Sequence, residues 1–239
     1  MSLVTPRYRR AGQLAIALSI GGAAAIGAWL PQVIRWRGED LVAFLLLALG
    51  TSLGEWFPVR LLHRSEQQLF TVTDALWVAA LLLAPPSVLV LSVAGGVGVT
   101  NILQGRGCIK ALFNVGQFSI GITLAEVIYR SIGPGSPAEP TGWAAAAVAM
   151  SAYLVVSAVL VTLVISITER RPFRESMRQS HPLTLVNAAG NVSLGIAGAA
   201  LWSLSKPGIA VMAIPLLLVL LAYRASVAPM NQRAVPTGH

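Results

Sequence analysis

Residues 75–105 read ALWVAALLLAPPSVLVLSVAGGVGVTNILQG, thirty-one positions without one Asp, Glu, Lys or Arg. A run of that length exceeds the roughly 20 residues a helix needs to cross a bilayer. It carries Pro85-Pro86 near its middle, and adjacent prolines fit the end of one helix and the start of the next better than a helix interior. Splitting there predicts helices over 71–84 and 87–103. At 1.5 Å per residue they reach about 21 and 26 Å, short of the ~30 Å hydrocarbon core, so this pair is read as a short helical hairpin.

Outward from that corner, further charge-free windows cover residues 11–34, 41–54, 111–125, 140–168, 179–205 and 207–223. The predicted spans are 12–30, 40–58, 71–84, 87–103, 109–130, 142–167, 183–203 and 207–223. An eight-span reading with the amino terminus inside places thirteen of the seventeen basic residues inside, leaving Arg35, Arg37, Arg130 and Lys206 outside. Treating 71–103 as one span reverses that asymmetry, against the positive-inside rule. The expected fold class is therefore an all-α, polytopic membrane bundle of about eight helices. Residues 1–223 form one transmembrane domain, and 224–239 a flexible cytoplasmic tail. The basic Arg7, Arg9 and Arg10 precede an apolar run too long for a signal-peptide core, so that run is read as a retained first helix.

Composition agrees with the bilayer reading. Of 239 residues, 55% are hydrophobic and 11% charged, where soluble domains average about 25% charge. The net charge of +8 sits in short clusters between apolar runs, the pattern of loops facing anionic lipid, so nucleic acid is not an expected partner. Cys108 is the single cysteine, and the histidines His63, His181 and His239 are scattered. No metal site and no cofactor are expected. Gly95-Gly96-Val97-Gly98 and Gly105-Arg106-Gly107 lack a phosphate loop's Gly-Lys-Ser/Thr ending, so they are read as helix packing and a tight loop. With no nucleophile–base pair and no HExxH motif, the chain is read as non-enzymatic.

Candidate binding residues come from amides inside the spans. Val115-Gly116-Gln117-Phe118-Ser119-Ile120-Gly121-Ile122 aligns without gaps on Ala189-Gly190-Asn191-Val192-Ser193-Leu194-Gly195-Ile196, which suggests equivalent positions of a parallel repeat. Asn114, Gln117 and Gly121 share one face of the fifth span by their i, i+3, i+7 spacing, and Asn187 and Asn191 share a face of the seventh. An amide in hydrocarbon must find a partner. The four carboxamides are read either as helix-to-helix hydrogen bonds or as a polar pocket between the fifth and seventh helices.

Two further residues join these candidates. Trp77 lies deep in the third span, whereas Trp29, Trp36, Trp56, Trp143 and Trp202 fall near span ends, where an interfacial belt places them. Glu126 is read as paired with Arg130 at i+4, or else as an acid at the mouth of an outward-facing pocket. The other intramembrane acids have local readings: Asp74 as a capping-box partner of Thr71, and Glu55 as snorkelling towards Arg60 or Arg64.

From Phe70-Thr71-Val72-Thr73-Asp74-Ala75, through Pro85-Pro86, to Lys110-Ala111-Leu112-Phe113-Asn114, the chain resembles the multi-helix membrane domain at the amino terminus of many bacterial signalling proteins. Those proteins carry HD-GYP phosphodiesterase, diguanylate cyclase or histidine kinase output domains. In that family the last span continues into a cytoplasmic helix, which Pro229 would interrupt here. The glycine-rich short hairpin is also similar to substrate-binding subunits of energy-coupling-factor transporters. The resemblance implies a small-molecule-sensing or regulatory domain in a bacterial inner membrane, with both termini cytoplasmic. Its expected partners are the lipid bilayer, a small-molecule ligand, and a protein partner or a second copy. The alternatives are a transport subunit or carrier for a polar or amphipathic solute, and a structural subunit of a larger membrane complex.

Overall fold

The computed structural model describes residues 6–57, 59–63, 66–70, 72–169, 172–179 and 181–208. Along them run α1 (Pro6–Trp29), α2 (Gly38–Trp56), β1 (Val59–His63), β2 (Glu66–Phe70), α3 (Thr73–Leu83), α4 (Pro86–Leu103), α5 (Cys108–Ile132), α6 (Pro140–Glu169), α7 (Phe173–Gln179) and α8 (His181–Leu204). The all-α expectation holds with one addition, an antiparallel hairpin pairing Val59 with Phe70 through His63 with Glu66. Ala11–Arg35, Pro86–Leu103, Cys108–Ile132 and Pro140–Glu169 are each long and apolar enough to cross a membrane. The predicted span over 207–223 and the tail lie outside the described residues, apart from the short turn Lys206–Gly208.

The diproline corner forms as expected. α3 ends at Leu83, and Pro86 opens α4 at its first position, where a proline's missing N–H costs nothing. The next corner is a Schellman closure around Gly105, whose φ of 62° suits a residue without a Cβ. There Arg106 N donates to Asn101 O and Gly105 N to Ile102 O, both at 3.0 Å. That closure returns Arg106 beside the end of α4.

Close packing runs along small residues. A Cβ at Gly96 would lie 2.6 Å from the Ala48 carbonyl oxygen, and one at Gly22 would lie 2.5 Å from the Gly116 Cα. Without a hydrophobic drive between helices in lipid, such backbone approaches supply the dispersion contacts that hold a bundle. Ser52 Oγ donates to Gly96 O at 3.0 Å, and Thr100 Oγ1 reaches both Gly96 O and Ser52 O. These bonds tie α2 to α4. Leu41, Leu45, Leu46, Leu49 and Leu53 form an exposed apolar stripe on another face of α2. The main core gathers Trp77, Leu81, Leu89, Val93, Ile122, Met150 and Tyr153 from α3 to α6. α8 closes over α3, with the Gly195 position against Ala75 and Val78.

Candidate functional site

The polar side chains inside the bundle are not scattered. Asn101, 1% exposed, occupies the last turn of α4. Its Nδ2 donates to Val97 O at 2.7 Å, and its Oδ1 accepts from Asn114 Nδ2 at 3.0 Å and Arg106 Nη1 at 3.3 Å. Gln117, one turn further along α5, faces α6 instead, donating through Nε2 to Ser157 Oγ at 3.3 Å. Its Oε1 is buried with no partner.

Around Tyr153 the network continues into α3 and α2. The Tyr153 hydroxyl donates to Asp74 Oδ1 at 3.3 Å across 79 residues of sequence. The Tyr153 ring lies edge-on to Trp77 at 5.7 Å, and Trp77 meets Phe118 at 5.3 Å. Trp77 Nε1 donates to Thr51 Oγ1 at 3.0 Å, with both residues fully buried. Glu55 lies beside Thr73 and within Coulombic reach of Asp74 and Arg106. Gln104 Nε2 donates to the Glu55 carbonyl at 3.5 Å. Two acids, one arginine, one phenol and four amides thus link α2 through α6, extending to the end where α2 and α4 stop and α3 and α5 begin.

Several expectations change against this geometry. Asn114 and Gln117 do turn into the bundle, and Asn191 Nδ2 donates to Asn187 Oδ1 at 3.4 Å, as their shared face requires. The two sets do not meet: α5 packs among α1, α4 and α6, while α8 packs on α3. α8 also touches α6, which packs on α5, so the two helices share that neighbour while their amides bond elsewhere. The suggested repeat is likewise unequal, since Gly116 abuts α1 while nothing among the described residues comes within 4 Å of the Gly190 position.

Trp77 is a core residue with its N–H spent on Thr51. α3 is described from Thr73, with Val72 at its N-cap position and Asp74 in its first turn. Thr71 and the side chains of Arg60 and Arg64 lie outside the described residues. The Glu126–Arg130 pair forms, with Arg130 Nε 3.1 Å from Oε2.

Sequence reading missed Asn101, Tyr153 and Ser157 as site members. Asn101 carried a usable signal, an amide four residues after Val97 at the end of an apolar helix. The tyrosine carried none, because its acid partner lies three helices away.

A family model covers residues 24–226, most of the chain. The chain belongs to the MASE9 family. MASE families are membrane-associated sensor domains, which places this MASE9 domain among membrane sensors. No curated protein and no solved structure matched it. Within the match lie all the residues of the Asn101–Tyr153–Asp74 network, together with Glu126, Asn187 and Asn191.

Proposed function

We propose that this MASE9 domain is a small-molecule-sensing or regulatory unit that crosses the bacterial inner membrane eight times. Both termini are cytoplasmic, and its output passes through a partner on that side. The observation that carries the reading is the buried network from Gln117 to Asn101. Polar groups inside a membrane bundle are costly and mark functional machinery, and this one ties five helices together by bonds that a small helix shift would exchange. The positive-inside asymmetry supports the crossing count and assigns the Glu55, Asn101 and Arg106 end to the cytoplasmic face. The amides of α5 are read as switch elements of that network, and those of α8 as a separate pair.

The test is an output chimaera: the full chain joined to a histidine kinase reporter and expressed in membranes with Asn114→Leu or Asp74→Asn. A sensor network predicts that basal output moves by about threefold or more at equal membrane abundance, since removing about 0.6 kcal/mol shifts a two-state equilibrium by nearly that factor. Output identical to the parent chimaera in both variants overturns the reading.

A further inference from the structure

A second set of polar atoms lies apart from that network. Glu126 Oε1, Thr123 Oγ1, Ser119 Oγ and Trp29 Nε1 are all buried with no hydrogen-bond partner. Ser119, Thr123 and Glu126 follow i, i+4, i+7 spacing and so lie on one stripe of α5. The stripe runs between the face that meets α1 at Gly116 and the face that meets α4 at Val115 opposite Gly98. α1 runs alongside α5 in the same direction, with Ala15 and Leu18 packed near Phe113 and Trp29 packed on the cluster holding Ile122 and Ala125. Trp29 lies seven residues past Gly22, and Thr123 seven past Gly116. Each is about 10 Å beyond the glycine contact, so the indole is level with the stripe.

We propose that this seam between α1, α4 and α5 binds an uncharged, membrane-soluble molecule bearing a hydroxyl or amide group. Charge balance sets the class. Glu126 is fully buried, and its other oxygen is held by Arg130 at 3.1 Å. The pair is neutral, so a bound cation or anion would leave an uncompensated buried charge. The unmet groups ask for both roles at once: the indole N–H needs an acceptor, Glu126 Oε1 needs a donor, and the hydroxyls serve either.

The surroundings set the solubility. Leu89, Val90 and Val93 on α4 and Ile122 and Ala125 on α5 belong to the buried apolar cluster on which Trp29 packs, and only 17% of the most apolar window of α1 is buried, so α1 forms the outer wall of the seam. Where α1 crosses α5 the helices are locked by Gly22 against Gly116 and by Ile120 seated on Gly21, so a ligand enters beyond that contact, at the Trp29 end of the seam. The site names an input for the sensor proposed above, and rests on that reading only for its signalling consequence.

The test uses the full chain in phosphatidylethanolamine–phosphatidylglycerol nanodiscs, photolabelled with an azi-octanol. Label is expected on peptides holding Trp29 and residues 119–126, competed by octanol and not by octane. It should fall about tenfold in Ser119→Ala/Thr123→Val, the factor that loss of one or two hydrogen bonds implies. That variant replaces unpartnered hydroxyls with apolar groups, so its melting temperature should be no lower than the parent's. Label spread evenly over the exposed apolar stripe of α2, or unchanged in the double variant, overturns the site. Specific label with no effect of octanol on the chimaera's output leaves the site standing and sinks the sensor reading.

Discussion

Tyr153→Phe removes one oxygen from the centre of the network and leaves the packing intact. The ring is 2% exposed and keeps its edge-on contact with Trp77 at 5.7 Å, so no apolar area is lost. What disappears is the donor to Asp74 Oδ1 at 3.3 Å. Hydrogen bonds to charged groups contribute about 1.5–3 kcal/mol in soluble proteins, but interhelical bonds in bilayers average ~0.6 and reach about 1.7. The 3.3 Å separation is long for an O–H···O bond. The bilayer range therefore decides, and about 1 kcal/mol is expected.

The assay is reversible unfolding of the full chain in mixed micelles, run as a double-mutant cycle with Asp74→Ala. A direct bond predicts a coupling energy of about 1 kcal/mol between the two positions, well above the few tenths found for unconnected sites. Asp74→Asn retains an acceptor oxygen and should cost less than Asp74→Ala. A coupling below about 0.3 kcal/mol would show that the hydroxyl and the carboxylate are neighbours without a bond, and the network would lose its central link.

Two further substitutions probe other joints of the fold. Gly116→Leu places a side chain where the Leu18 and Ser19 backbone of α1 already lies; overpacking of this kind costs about 1–3 kcal/mol, and cysteine crosslinking between α1 and α5 should report their separation. Asn101→Leu strips Asn114 Nδ2 and Arg106 Nη1 of their shared acceptor at once. It should therefore destabilise more than Asn114→Leu, which leaves Arg106 bonded, when the two are compared in the same unfolding assay.

Much of the fold was legible because its determinants are local. Pro85-Pro86 dictated a break wherever it fell, and α3 and α4 flank it within two residues of the expected bounds. The unbroken run from residue 140 became a single helix, Pro140–Glu169, longer than the bilayer requires. Helix partners were not legible. In lipid an apolar face is equally at home against a neighbour or a fatty chain, so hydropathy places helices across the membrane without saying which ones touch. The α5 amides were correctly turned inward, yet their partners proved to be Asn101 and Ser157 rather than the amides of α8. Asp74 invites a local cap reading because Thr71 precedes it by three. Tyr153, which donates to it, arrives from a helix with no charged residue near that position.

The two polar sets share one rigid element, and this has a mechanical consequence. α5 carries Ser119, Thr123 and Glu126 towards α1 and α4, Gln117 towards α6, and Asn114 towards α4, all on 25 residues without a proline. A helix of that length moves as a unit unless a proline or a bulge breaks it. Signalling displacements of helices run to about 1–2 Å. An axial shift of α5 by about 1 Å would carry the Asn114–Asn101 bond from its 3.0 Å to the edge of hydrogen-bonding range. The Gln117–Ser157 bond, already at 3.3 Å, would break or re-form with a different hydroxyl. Occupying the α1 seam and switching the inner network are then one movement of one helix, α5.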